Sequence, residues 1–120
     1  MIQGRFGDRG QIYFEIDLVC ADGSFLPLEA MLDTGFTEFL AINQQDAESL
    51  DWSFINQDKL RTAQGEAIFD IYLGKVVIDG RAFEIPIFAG EEIQEILLGS
   101  QWLKLFTLVA NYQQGRVTLD

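Results

Sequence analysis

Asp33, followed directly by Thr34 and Gly35, is the residue of this chain best placed to do chemistry. The apolar run Ala30-Met31-Leu32 leads into it and Phe36-Thr37 leads away. A strand of that composition delivers one carboxylate from an apolar interior to a tight turn. There the Thr34 hydroxyl and the unencumbered Gly35 backbone can hold the acid in a fixed orientation. A carboxylate so held can take or give a proton at a defined position. The three letters alone also fit an ordinary type I turn closing a strand.

Other chemistries find few residues to work with. Histidine is absent, which removes Ser-His-Asp and Cys-His machinery and histidine-based zinc sites together. Cys20 is the only cysteine, so no disulfide forms within the chain, and its apolar surroundings suit a small core thiol. Glu91, Glu92 and Glu95 read as a solvated acidic face rather than a metal cluster. The net charge of −11, from 19 acidic and 8 basic residues, repels phosphate backbones and anionic headgroups. Nucleic acid and membrane surfaces are therefore not expected partners. The first ten residues hold no long apolar region and no cleavage signature, so a soluble cytoplasmic protein is expected. At 120 residues with 48% hydrophobic side chains, the chain suits one domain spanning residues 1–120.

The elements that must position Asp33 read mainly as strands. Ile12, Phe14, Ile16 and Leu18 alternate with Tyr13, Glu15 and Asp17, the pattern of a half-buried strand. Asp22-Gly23 suits a tight hairpin turn into a second strand, 25–29, that continues to Asp33. Phe39-Leu40-Ala41-Ile42 reads as a short strand, Asn43 as a cap, and 44–50 as a short helix burying Ala47 and Leu50. Trp52 and Phe54 are expected in the core. Two arms, 60–62 and 67–69, flank a tip at Gln64-Gly65. A second Asp-Gly turn, Asp79-Gly80, leads to the strand Phe83–Phe88, where Pro86 implies an edge or a bulge. Ile96-Leu97-Leu98-Gly99 precedes a helix with Ser100 as its expected cap and Trp102, Leu103 and Phe106 on one face. A last hairpin joins 108–112 to 116–119. The order strand, Asp-Gly turn, strand, apolar run, glycine thus occurs twice, and the second copy has no carboxylate where the first has Asp33.

These residues resemble the retropepsin-like aspartic proteases, single-domain relatives of pepsin that include the retroviral proteases. More narrowly, Asp33-Thr34-Gly35-Phe36-Thr37 is similar to a bacterial and archaeal branch with Asp-Thr-Gly-Phe at the active site. The likeness covers roughly residues 10–120. It rests on the apolar-apolar-Asp-Thr-Gly strand and the hairpin tip Ala63-Gln64-Gly65, placed where the family has its flap. It rests also on Ile96-Leu97-Leu98-Gly99 with the helix after it, and on the closing Gly115–Leu119 strand. Three features depart from the retroviral pattern. Phe36 replaces the usual alanine or serine and is expected to narrow the cleft. No arginine follows Gly99, so an ion pair that braces retroviral dimers is missing. The flap tip has one glycine where retroviral flaps have several.

The resemblance implies a closed β-barrel of the acid-protease fold, with a flap hairpin and one or two short helices. It also implies peptide-bond hydrolysis without metal or cofactor. That reaction needs two carboxylates, one to draw a proton from water and one to polarise the carbonyl and protonate the leaving nitrogen. Two carboxylates about 3 Å apart cannot both be charged, so such a pair shares a proton and titrates in two steps. This chain offers one, so its expected partner is itself, in a C2 homodimer that brings two copies of Asp33 to the axis. Thr34 would cross-brace the pair, and Gly35 would admit the substrate backbone. The flap, Ala63, Gln64 and Gly65, would close over a peptide or protein substrate. The net charge adds the expectation of highest activity below neutrality and a preference for uncharged or basic peptides. Two alternatives are a catalytically silent peptide-binding or dimerisation module on the same fold, and an unrelated small β-barrel with an incidental turn.

Overall fold

The alternation along the first long strand is realised as read: Phe14, Ile16 and Leu18 are buried, while Glu15 on the other face is exposed. In the computed structural model, which describes residues 1–62 and 65–120, this strand is β3, Ile12–Val19. It is preceded by two short strands, β1 (Ile2–Gln3) and β2 (Arg5–Phe6), and followed by β4 (Phe25–Leu32) and β5 (Leu40–Asn43). Helix α1 (Gln44–Ser49) comes next, then β6 (Ser53–Thr62), β7 (Gly65–Ile78), β8 (Arg81–Gly90) and β9 (Leu97–Leu98). A 3₁₀ helix, Ser100–Lys104, leads into the hairpin of β10 (Leu108–Asn111) and β11 (Arg116–Leu119).

The strands form one large sheet in the order β2–β3–β4–β9–β5–β8–β7–β6, and β3 also pairs with β7 through Asp17–Val77 to Val19–Lys75. That extra pairing closes β3, β4, β9, β5, β8 and β7 into a ring, the expected closed barrel, with β6 outside it. Its interior is filled by Leu18, Leu40, Ile42, Val76, Ile87 and Leu98 among others, all at most 1% exposed. Burying each such side chain contributes roughly 1.5–3 kcal/mol. A second, three-stranded sheet is ordered β1–β11–β10. Among the described residues no helix is long and apolar enough to cross a membrane.

The turns follow their residue chemistry. Asp79 and Gly80 have φ of 54° and 72°, and Ile78 faces Arg81 across them, so β7 and β8 meet in a tight hairpin turn of the I′ type. The first Asp-Gly pair instead sits in a longer loop: the Cys20 N–H donates to the Ser24 carbonyl, and only Gly23 has positive φ. Asp22 accepts from both the hydroxyl and the N–H of Ser24, which holds its carboxyl below the ordinary value. Asn43 caps α1 by accepting from the Gln45 N–H, and Ala47 and Leu50 face inward as expected.

Three expectations are corrected. Phe54 is 56% exposed, because β6 is the outermost strand and its register shifts between Phe54 and Asn56; its ring meets Tyr72 in an edge-to-face pair with centroids 5.8 Å apart. Trp52 does reach the core, with its indole N–H donating to the Val19 carbonyl. Ser100 is not a cap: Gly99 holds that position and the helix is 3₁₀. Pro86 lies inside the sheet order, yet β5 pairs with β8 only from Ile87 to Gly90, so the strand has an open side where the proline sits.

Arg5 spans the surface from β2 to β4, donating two hydrogen bonds to Glu29 with its guanidinium over the Tyr13 ring. The guanidinium holds the Glu29 carboxyl below its ordinary value. The contribution of that pair is therefore present above the ordinary carboxylate range and is lost as pH falls through the depressed value. The thermal midpoint of Glu29→Gln should lie below that of the parent at neutrality, and the gap should narrow steadily as pH falls below the ordinary carboxylate range. A gap that stays constant across this range would mean the pair does not act electrostatically.

Candidate active site

Asp33 leaves β4 at the point where the strand runs out of apolar residues. Ala30 is buried, Met31 and Leu32 are half-buried, and the Asp33 N–H still donates to the Leu98 carbonyl at 2.9 Å. The chain then turns through Thr34 and Gly35. The Gly35 N–H donates to Asp33 Oδ1 at 2.9 Å, and the Phe36 N–H donates to the Asp33 carbonyl at 3.1 Å. A short acidic side chain that accepts from the backbone two residues on is fixed by its own turn. A Cβ on Gly35 would lie 3.2 Å from that same Oδ1. Asp33 is half-buried, and Thr34 is exposed with no hydrogen bond from its hydroxyl to the described residues.

The loop after Asp33 is held from below. β9 lies between the two strands that carry the loop, parallel to β4 (Leu32 beside Leu98) and antiparallel to β5 (Leu40 beside Leu98). The two apolar runs that the sequence repeats thus lie side by side, with Asp33 following one and Gly99 the other. Gly99 and Ser100 donate their N–H groups to the carbonyls of Phe39 and Phe36, both at 2.9 Å. Gln101 Nε2 donates to the Thr37 carbonyl at 3.0 Å, and the Trp102 indole donates to the Phe39 carbonyl at 2.7 Å. Loop carbonyls that would otherwise lose their partners are thereby satisfied. Gly99 is required by contact: a Cβ there would stand 1.8 Å from the Glu38 carbonyl oxygen.

Of the residues singled out in the sequence, Asp33, Thr34, Gly35 and Phe36 form this one loop. Phe36 also joins a small apolar cluster around Ala41, Phe69, Ile71 and Phe88, together with Leu60 of β6 and Ala67 of β7. The arms of the hairpin expected to form the flap therefore pack toward the loop that carries Asp33. Gly65 opens β7 at φ 115°, opposite Thr62. Ala63 and Gln64 lie outside the described residues. Sequence reasoning missed Gln101 and Trp102 as braces of the loop. The indole had a visible signal, since a buried tryptophan needs an acceptor for its N–H; Gln101 had none.

Asp33 lines neither of two grooves on the chain. One, of about 890 Å³, runs between α1, β7 and the turn after β8, and there Gln44 and Gln57 both donate to Asp70. The other, of about 320 Å³, lies beside Trp52. Among the described residues, Asp33 sits half-buried on a braced turn outside both grooves.

No family model and no curated protein matches the sequence. Solved structures do. A retropepsin-like aspartic protease from Rickettsia conorii is similar at a TM-score of 0.66 and 20% identity, over 98% of this chain and 88% of that one. The simian foamy virus (mac) protease is similar at 0.55 and 23% identity, over 77% and 91%. The EIAV protease, solved with the inhibitor HBY-793, is similar at 0.66 and 14% identity, over 82% and 90%. At these identities the likeness is one of backbone architecture, and on it this chain has the retropepsin-like fold of aspartic proteases.

Proposed function

We infer that the chain is an aspartic endopeptidase, active as a C2 homodimer in which each copy supplies one Asp33. The observation that carries this reading is the carboxylate itself, fixed at the end of β4 by the Gly35 N–H on a loop braced from Gly99 to Trp102. It is one acid per chain, on a fold whose solved neighbours are aspartic proteases.

Across the axis the two carboxylates share one proton. The ionised one takes a proton from water as the water oxygen attacks the scissile carbonyl carbon, and the protonated one hydrogen-bonds the carbonyl oxygen. The tetrahedral intermediate then collapses, the C–N bond breaks, and the leaving nitrogen takes a proton from the pair. Water ends as part of the new carboxyl group, and no cofactor takes part. The exposed Thr34 hydroxyl is free to reach the partner's loop. The β6–β7 hairpin closes over an extended peptide and adds strand-like hydrogen bonds to it. Phe36 narrows the space beside Asp33.

Cleavage of an unfolded protein, measured over a range of enzyme concentrations alongside sedimentation, tests the reading. Specific activity should rise in step with the dimer fraction, and a statine-containing peptide should inhibit it as a transition-state mimic. A dimer that binds the statine peptide but cuts nothing would instead identify the silent peptide-binding module.

A further inference from the structure

We propose that Phe36 sets the substrate class: its ring, backed by Phe88 and Phe69, fills the space beside Asp33 that a large side chain would need. The peptides cut are then those with glycine, alanine or serine at the scissile bond. This rests on the protease reading above and names the substrates of that same site.

Strand register puts the acid and the aromatic cluster on one face of the sheet. Met31 lies beside Leu97, Leu97 opposite Ala41, Ala41 beside Phe88 and Phe88 opposite Ile71, a row that crosses β4, β9, β5, β8 and β7. Partners across a sheet share a face, and so do residues two apart along a strand. Asp33 lies two beyond Met31 with its N–H still bonded to the Leu98 carbonyl, so its side chain leaves on the side of this row. The alternate row, Leu32, Leu98, Leu40 and Ile87, faces the barrel interior.

The face beside the acid is already full. Ala41, Phe69, Ile71 and Phe88 are at most 7% exposed, covered by Phe36 from the Asp33 loop and by Leu60 and Ala67 from the hairpin arms. The Phe36 and Phe88 rings meet edge to face with centroids 6.0 Å apart, and Phe88 and Phe69 do so at 6.2 Å. Two glycines fix the rings at the ends of this stack. A Cβ on Gly99 would stand 2.8 Å from the Phe36 ring, and one on Gly90 would stand 2.6 Å from the Phe69 ring. Neither Phe36 nor Phe88 lines either groove. Side chains packed this closely admit another only by moving aside, which costs affinity. In a two-fold dimer each acid brings its own Phe36, so the restriction falls on both sides of the bond that is cut.

Mass-spectrometric mapping of the peptides released from an unfolded protein tests this. It is joined by two statine peptides that differ only in the statine side chain, isobutyl or methyl. The parent should cut where glycine, alanine or serine flanks the bond, and should favour alanine over leucine there by at least about 10-fold in kcat/KM. It should bind the methyl peptide more tightly than the isobutyl one. In Phe36→Ala both orders should reverse, a change of preference that a general loosening of the fold would not produce. If Phe36→Ala does not fold, the parent's cleavage map and the statine pair decide. A parent that prefers leucine, methionine or phenylalanine, or a folded Phe36→Ala with the parent's preference, overturns the role of Phe36 and leaves the protease reading standing. A chain that cuts nothing and binds neither statine peptide overturns both.

Discussion

Asp33→Asn should abolish peptide hydrolysis while leaving the fold and the dimer in place. Asparagine has the shape of aspartate and keeps an oxygen to accept from the Gly35 N–H, so the turn after β4 survives the exchange. What it cannot do is take a proton from water or return one to the leaving nitrogen. Because a homodimer carries the change twice, both roles vanish together. A loss of about 10³-fold or more in turnover is expected, since general acid–base catalysis alone contributes about 10²–10⁴-fold. The thermal midpoint and the sedimentation profile should stay close to those of the parent. If turnover survives at a tenth of the parent value or more, the chemistry belongs to other residues.

Gly99→Ala should be the most damaging single-methyl change. The new Cβ would meet the Glu38 carbonyl oxygen at 1.8 Å, the Glu38 carbonyl carbon at 2.7 Å and the Phe36 ring at 2.8 Å. Two of these are backbone atoms, so rotating a side chain cannot relieve the clash. The loop must lift off β9, and the hydrogen bonds from Gly99 to Phe39 and from Ser100 to Phe36 go with it. A destabilisation of about 3 kcal/mol or more is expected, seen as a fall of roughly 10 °C or more in thermal midpoint. Activity should fall further than stability explains, because the displaced loop carries Asp33. Gly23→Ala is the control: its φ of 87° strains alanine, but nothing lies within 4 Å, so the cost should stay near 1–2 kcal/mol. Similar midpoints for the two variants would mean that the Gly99 contact is not tight.

Local pattern carried much of this structure. The alternation along β3, the cap and inward face of α1 and the Asp79-Gly80 turn depend on near neighbours, and each is realised as read. The turn at Asp33 was legible for the same reason, because the acceptor and donor that fix it are two residues apart. Features set by distant parts of the chain were not. β1 and β2 are too short to show any period, and they exist because β11 and β3 supply their partners. Phe54 looked like a core residue by type, but the outer position of β6 leaves it in solvent. The place of β9 between β4 and β5, with the resulting contact of Gly99 on Glu38, joins segments some sixty residues apart. That arrangement, more than the Asp-Thr-Gly letters, is what makes Asp33 a braced acid.

Mixing the parent with Asp33→Asn tests the shared pair of acids most directly. With total protein held well above the dissociation constant and the copies allowed to exchange, an equal mixture should leave only about a quarter of the dimers with two acids. Activity per parent chain should then drop to about half, and approach zero as the variant is taken to large excess. Activity per parent chain that stays constant, however much variant is added to a freely exchanging dimer, would show that one chain completes the chemistry alone.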